Sequence, residues 1–146
     1  QDWLQPVIDE INQLQNIGYS DISIVGVSAG AAGVLHLLLN RQISGVRQLI
    51  LMDPYIVPVN KLLAWVHVLG MLIHNTRSDA ILPIEYQHWY VNRPASALNQ
   101  LRLLVKHIQY DLQHVDPSMG VPNIQVFTAK TNTIYLIIKH EVIITQ

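Results

Sequence analysis

The chain has 146 residues, a formal net charge of −1 and a pI near 6.7, with 50% hydrophobic and 13% charged residues. There is room for one ordinary domain with a real core, and the balance of charge lacks the basic footprint that nucleic acid or an anionic membrane surface selects for. Cysteine is absent, which removes disulfides and thiolate chemistry and suits a reducing, cytoplasmic compartment. The longest apolar run, 62–73, carries His67 and Gly70. It falls short of the roughly 20 residues of a bilayer span, so no integral membrane segment is expected, and no signal-peptide pattern precedes it. The sequence starts at Gln1, inside a helical pattern, and reads as a fragment of a longer protein.

Trp3, Leu4, Val7, Ile8, Ile11, Leu14 and Ile17 recur at helical spacing. They predict an amphipathic helix over 2–16 that Gly18 ends. Residues 22–25 read as a short, nearly all-apolar strand of a parallel sheet covered on both faces. The stretch Gly26-Val27-Ser28-Ala29-Gly30 follows, then a helix over 29–40 whose small first residues let it lie close to a sheet. Residues 47–52 read as a second buried strand, ending at Asp53-Pro54. Helix, strand, helix, strand at these lengths is the rhythm of an open, doubly wound sheet.

Beyond residue 56 the rhythm changes. Helices are predicted over 60–74 and 95–115, with Leu98, Leu101, Val105, Ile108, Leu112 and Val115 lining one face of the second. Between them lies a polar and aromatic segment, 75–94, with Tyr86, Trp89 and Tyr90 and no strand-like run. A helical insertion between strands of an α/β sheet is most simply a cap over the carboxyl edge, where such folds bind ligands. Pro117, Gly120 and Pro122 mark the return, and 124–127 reads as the next strand. The expected organisation is a core over 1–56, a helical cap insertion over 57–118, and a return to the sheet with an atypical apolar tail over 119–146.

The pattern at Gly26 to Gly30 is that of a nucleophile elbow, in which a serine sits on a sharp turn between a strand and a helix with its hydroxyl above the sheet. From average residue usage, roughly 0.05 such patterns are expected by chance in a chain of this length. Glycine is expected at both flanks because a Cβ at either would collide with the neighbouring strand or helix.

These features, with the segments NRPASALNQLRLLVKHIQYDL and VPNIQVFTAKTN, resemble the α/β-hydrolase family, and within it the carboxylesterase and monoacylglycerol-lipase-like serine hydrolases. The resemblance covers about residues 1–133. It implies a partial doubly wound, mostly parallel sheet with a helical cap, and hydrolysis of small-molecule or lipid-like carboxylic esters through an acyl-enzyme on Ser28. The apolar run 62–73 suits a moderately apolar acyl chain. The resemblance also implies that the Ala29 backbone N–H is one donor of the oxyanion hole, at the positive end of a helix. The family's acid position falls on Asn132, where an amide can orient a histidine but cannot stabilise an imidazolium as a carboxylate does. Asp53, at the end of the strand after the elbow helix, is the alternative acid; its plainer reading is a loop-starting turn. The family's histidine lies well beyond the acid, whereas His140 follows Asn132 by only eight residues. A catalytically silent, hydrolase-like remnant or binding module is therefore a second expectation.

No metal or other cofactor is expected. His67 with His74, and His107 with His114, are each seven apart, about 10.5 Å along a helix and too far for one ion; His36 reads as a packed core histidine. Gly26, Gly30 and Gly33 also follow a strand and open a helix, but Ser28 stands where a dinucleotide fingerprint needs its second glycine. A dimer is compatible with so apolar a composition.

Overall fold

Two apolar strands joined by an apolar helix form the nucleus of the fold. The computed structural model describes residues 3–56, 75–77, 92–116, 118–128, 134–138 and 141–145. The helix expected over 60–74 and the aromatic residues Tyr86, Trp89 and Tyr90 lie outside them. The chain divides into two compact units, Gln1–Ile56 with Lys106–Gln146, and Val57–Val105.

In the first unit, helix α1 spans Gln5–Asn16, with Pro6 in its first turn, where a missing N–H costs nothing. Gly18, at φ +98°, ends it: the Gly18 N–H donates to Gln15 O and the Tyr19 N–H to Leu14 O, the paired bonds of a left-handed helix terminus. Strand β1 spans Ile22–Val27, helix α2 Ala29–Leu39 and strand β2 Val46–Met52. The first two residues of the glycine-bounded turn are thus the last two of β1. Helix α2 ends with the same pair of bonds as α1, but Arg41 holds the left-handed position at φ +54°.

The sheet has the order β1, β2, β5, β6, β7, with β5 at Asn123–Phe127, β6 at Ile134–Ile138 and β7 at Glu141–Thr145. Its first three strands are parallel, with Ile24, Leu49 and Ile124 in one register row and Val27, Met52 and Phe127 in the last. The tail then adds β6 and β7 as antiparallel strands. The chain therefore has an α/β fold built on a small three-stranded parallel sheet.

The core lies on one face of that sheet. Leu49 and Leu51 of β2 are buried with Ile124 and Val126 of β5 and with Leu37 of α2. Gly26 points the same way, and a Cβ there would lie 2.6 Å from the Ala31 Cα of α2. The opposite face carries Val25, Val27, Met52 and Phe127, which are 59, 55, 45 and 38% exposed. Among the described residues the parallel strands are thus covered on one side, where the apolar run of β1 predicts cover on both.

In the second unit, strands β3 (Asn75–Arg77) and β4 (Asn92–Pro94) form an antiparallel pair, where the sequence predicts no strand. Helix α3 spans Ala95–Gln113, and the boundary between units falls within it. Among the described residues no helix is long and apolar enough to cross a membrane.

Candidate functional site

The parallel strands end in register, so the residues that follow them meet along one edge. Val27, Met52 and Phe127 share a row, and Ser28, Asp53 and Thr128 come next. The Ser28 N–H donates to Met52 O at 2.9 Å, and the Asp53 N–H donates to Phe127 O at 2.7 Å. Neighbouring strands are about 4.8 Å apart, so these bonds bring the Ser28 and Asp53 backbones to adjacent places at the carboxyl edge. Both are exposed.

Ser28 is the N-cap of α2, with φ +51° and ψ −117° and no capping bond from its side chain. A serine N-cap ordinarily has extended dihedrals and turns its oxygen onto the first helical N–H groups. Here the backbone holds the hydroxyl away from that use. The conformation costs on the order of 1–3 kcal/mol for a residue with a Cβ, and the surrounding bonds maintain it. Ser28 O accepts the Ala32 N–H at 3.2 Å and the Tyr55 N–H at 3.1 Å, which ties the turn to the loop after β2.

Ala29 is the first residue of α2 and the first helical hydrogen bond is donated by Ala32. The Ala29 N–H is among the leading donors of the helix, which have no partner within it. It follows Ser28 directly, the position that the resemblance gives to an oxyanion donor. The two glycines are not equivalent. Gly26 meets Ala31 as expected, but a Cβ on Gly30 would meet nothing within 4 Å. Gly30 itself is exposed in the first turn of α2, and the expected collision there does not occur.

Asp53 also has a left-handed backbone, φ +44°. The next residues turn tightly, with the Ile56 N–H donating to Pro54 O at 2.9 Å. Asn132 and His140 lie outside the described residues, as do His67, His74 and His88. Among the described residues no hydrogen bond involves the Ser28 hydroxyl, and no cluster of three His, Asp or Glu side chains could hold a metal ion.

His36, in the last turn of α2, is largely packed, with its side chain 12% exposed. Its burial pushes the imidazole below its ordinary range; the nearby Asp111 carboxylate opposes this and His107 adds to it. Sequence reasoning placed His36 in the core but missed its partners on α3, because nothing local pairs residues 36 and 111.

The described fold and turn define an α/β chain that presents a serine on a strained strand-to-helix turn at the carboxyl edge of parallel strands. No family model matches this chain, and neither a curated protein nor a solved structure matches it.

Proposed function

We propose that the chain is part of an α/β-hydrolase-like serine hydrolase acting on carboxylic esters, with Ser28 as the nucleophile. The observation that carries this reading is the backbone of Ser28, at φ +51° between β1 and α2 with no capping bond. A serine spends strain energy on such a position where its hydroxyl is needed elsewhere. In this reading Ser28 Oγ attacks the ester carbonyl carbon and its proton passes to a histidine base. The oxyanion is held by the Ala29 N–H together with a second donor, and the protonated alcohol leaves. Water then attacks the acyl-enzyme, frees the acid and returns Ser28. Asp53, one strand from Ser28 at the same edge, or Asn132 at the family's acid position, orients the base.

The doubly wound sheet and the helical cap over 57–118 belong to the same proposal. So do a moderately apolar acyl chain received by 62–73, and a cytoplasmic location, which suits a chain without cysteine. Labelling with a fluorophosphonate, which reacts with activated serines, tests the nucleophile. Label on the Ser28 peptide that disappears in Ser28→Ala supports the reading, and labelling unchanged by that substitution overturns it.

A catalytically silent remnant is the second reading. It is favoured by the Ser28 hydroxyl having no hydrogen bond to a histidine among the described residues. Turnover of a short-chain ester by this chain above a Ser28→Ala control rules it out.

A further inference from the structure

Strand β1 ends the sheet on one side: in the order β1, β2, β5, β6, β7 it has β2 as its one neighbour among the described residues. The Ser28 N–H points at β2, donating to Met52 O. Backbone groups alternate sides along a strand, so those of Ile22, Ile24 and Gly26 also face β2, and the N–H and C=O of Ser23, Val25 and Val27 face the open edge. All three residues are exposed. Edge strands are ordinarily guarded by a charged side chain, a proline or a bulge. Ile22–Val27 has neither charge nor proline. The register passes from Ile22 with Val46 to Ser23 with Gln48, so the extra residue, Arg47, is on β2 and leaves the β1 edge regular. A groove of about 490 Å³ lies between α1 and β1, with Val7, Ile11 and Leu14 on one side and Ile22 and Ile24 on the other.

We propose that the β1 edge pairs antiparallel with the β1 edge of a second copy of this chain, in a reversible dimer whose two-fold axis passes at Val25. Self-complementarity selects this occupant. The three outward-facing residues are evenly spaced about Val25, so in this register Val25 pairs with Val25 of the second copy and Ser23 with Val27, twice. Each is a pair that exchanges both N–H···O bonds, and the six bonds use every outward-facing group of both strands. On the uncovered face the two Val25 side chains meet and Val27 comes beside Ser23, which withdraws apolar surface from water. On the other face Ile24 stands opposite Gly26, a large residue against one with no side chain. The charges fit as well. No charged residue of β1 meets its like, and Asp21, just before one strand, arrives at the turn where α2 of the second copy begins. Asp21 is exposed, and its pair with Arg47 uses Oδ2 alone, so a carboxylate oxygen faces the positive end of a helix. Interfaces under about 1,200 Å² are weak, and a single strand-to-strand seam with its flanking valines gives a dimer that forms and dissociates with concentration. Neither Ser28 chemistry nor a substrate is needed for this pairing.

Analytical ultracentrifugation of the unmodified chain at about 0.1 mM is expected to show a species of twice 16.5 kDa that dissociates on dilution. Val25→Lys sets two like charges face to face at the axis without touching the core, and is expected to be monomeric at that concentration, as is Val25→Glu. An equimolar mixture of the two variants restores the dimer, because the pair at the axis is then Lys with Glu. In the dimer the amide hydrogens of Ser23, Val25 and Val27 exchange slowly, and dilution makes them fast. A monomeric unmodified chain overturns the proposal, as does a dimer that both charged variants keep, or a mixture of the two that stays monomeric. Slow exchange of these three amides in a monomer also overturns it, since another segment of the chain then occupies the edge. If the charged variants do not fold, the exchange decides: rates that are independent of chain concentration overturn the proposal.

Discussion

The backbone N–H of Ser28 donates to the carbonyl of Met52 at 2.9 Å, so the last rung between β1 and β2 lies at the start of the turn. The sheet therefore ends by fixing the serine backbone, and α2 begins on the next residue. A substitution at this turn is felt in sheet and helix together.

Gly26 and Gly30 separate the steric role of the turn from its pattern. Gly26→Ala sets a Cβ 2.6 Å from the Ala31 Cα, a clash with backbone that only a shift of α2 relieves. A loss of about 1–3 kcal/mol is expected. Gly30→Ala meets open space in a helical turn and is expected to be neutral or to gain up to about 1 kcal/mol. Urea unfolding of the two variants checks the contrast, and equal losses would sink it.

Ser28→Gly tests whether the turn stores strain. Glycine adopts the left-handed backbone without the Cβ penalty, at the cost of a more flexible unfolded chain. The variant is expected to be more stable by on the order of 1 kcal/mol, measured as a higher denaturation midpoint with an unchanged slope. A lower midpoint would show that the side chain, not the backbone, holds the turn.

The ends of α1 and α2 give substitutions of opposite sign. Gly18→Ala places a Cβ on a residue at φ +98° and is expected to cost about 1 kcal/mol. Arg41→Gly relieves the same conformation at φ +54° but removes the exposed pair between Arg41 and Asp116, 2.8 Å apart. Exposed pairs contribute about 0–1 kcal/mol and left-handed backbone about 1–2 kcal/mol. Arg41→Gly is therefore expected to raise the thermal midpoint slightly, and a clear fall would show that the pair outweighs the strain.

Much of the first unit was legible from residue order. The spacing of Ile11, Leu14 and Ile17 marked α1, Gly18 its end, and the apolar runs before and after α2 the strands β1 and β2. These are local signals: side-chain period, and a glycine at a left-handed position. The Schellman-type end at Arg41 was not legible, because arginine has no preference for that backbone and the neighbouring bonds impose it. The tail read only as atypical and apolar. Its antiparallel pairing with β5 depends on partners far along the chain, which no local pattern names.

The serine between two glycines, its preceding strand and its following helix were determined by the sequence alone, because each rests on residues within a few positions of Ser28. Tertiary structure decided the rest. The in-register ends of β1, β2 and β5 bring Asp53 to the same edge as Ser28. Ala31 makes Gly26 obligatory while Gly30 is left in open space. The packing of α3 on α2 sets Asp111 beside His36. Each of these depends on groups that meet only when distant segments pack, and the energy that holds them comes from burial and register rather than from local preference.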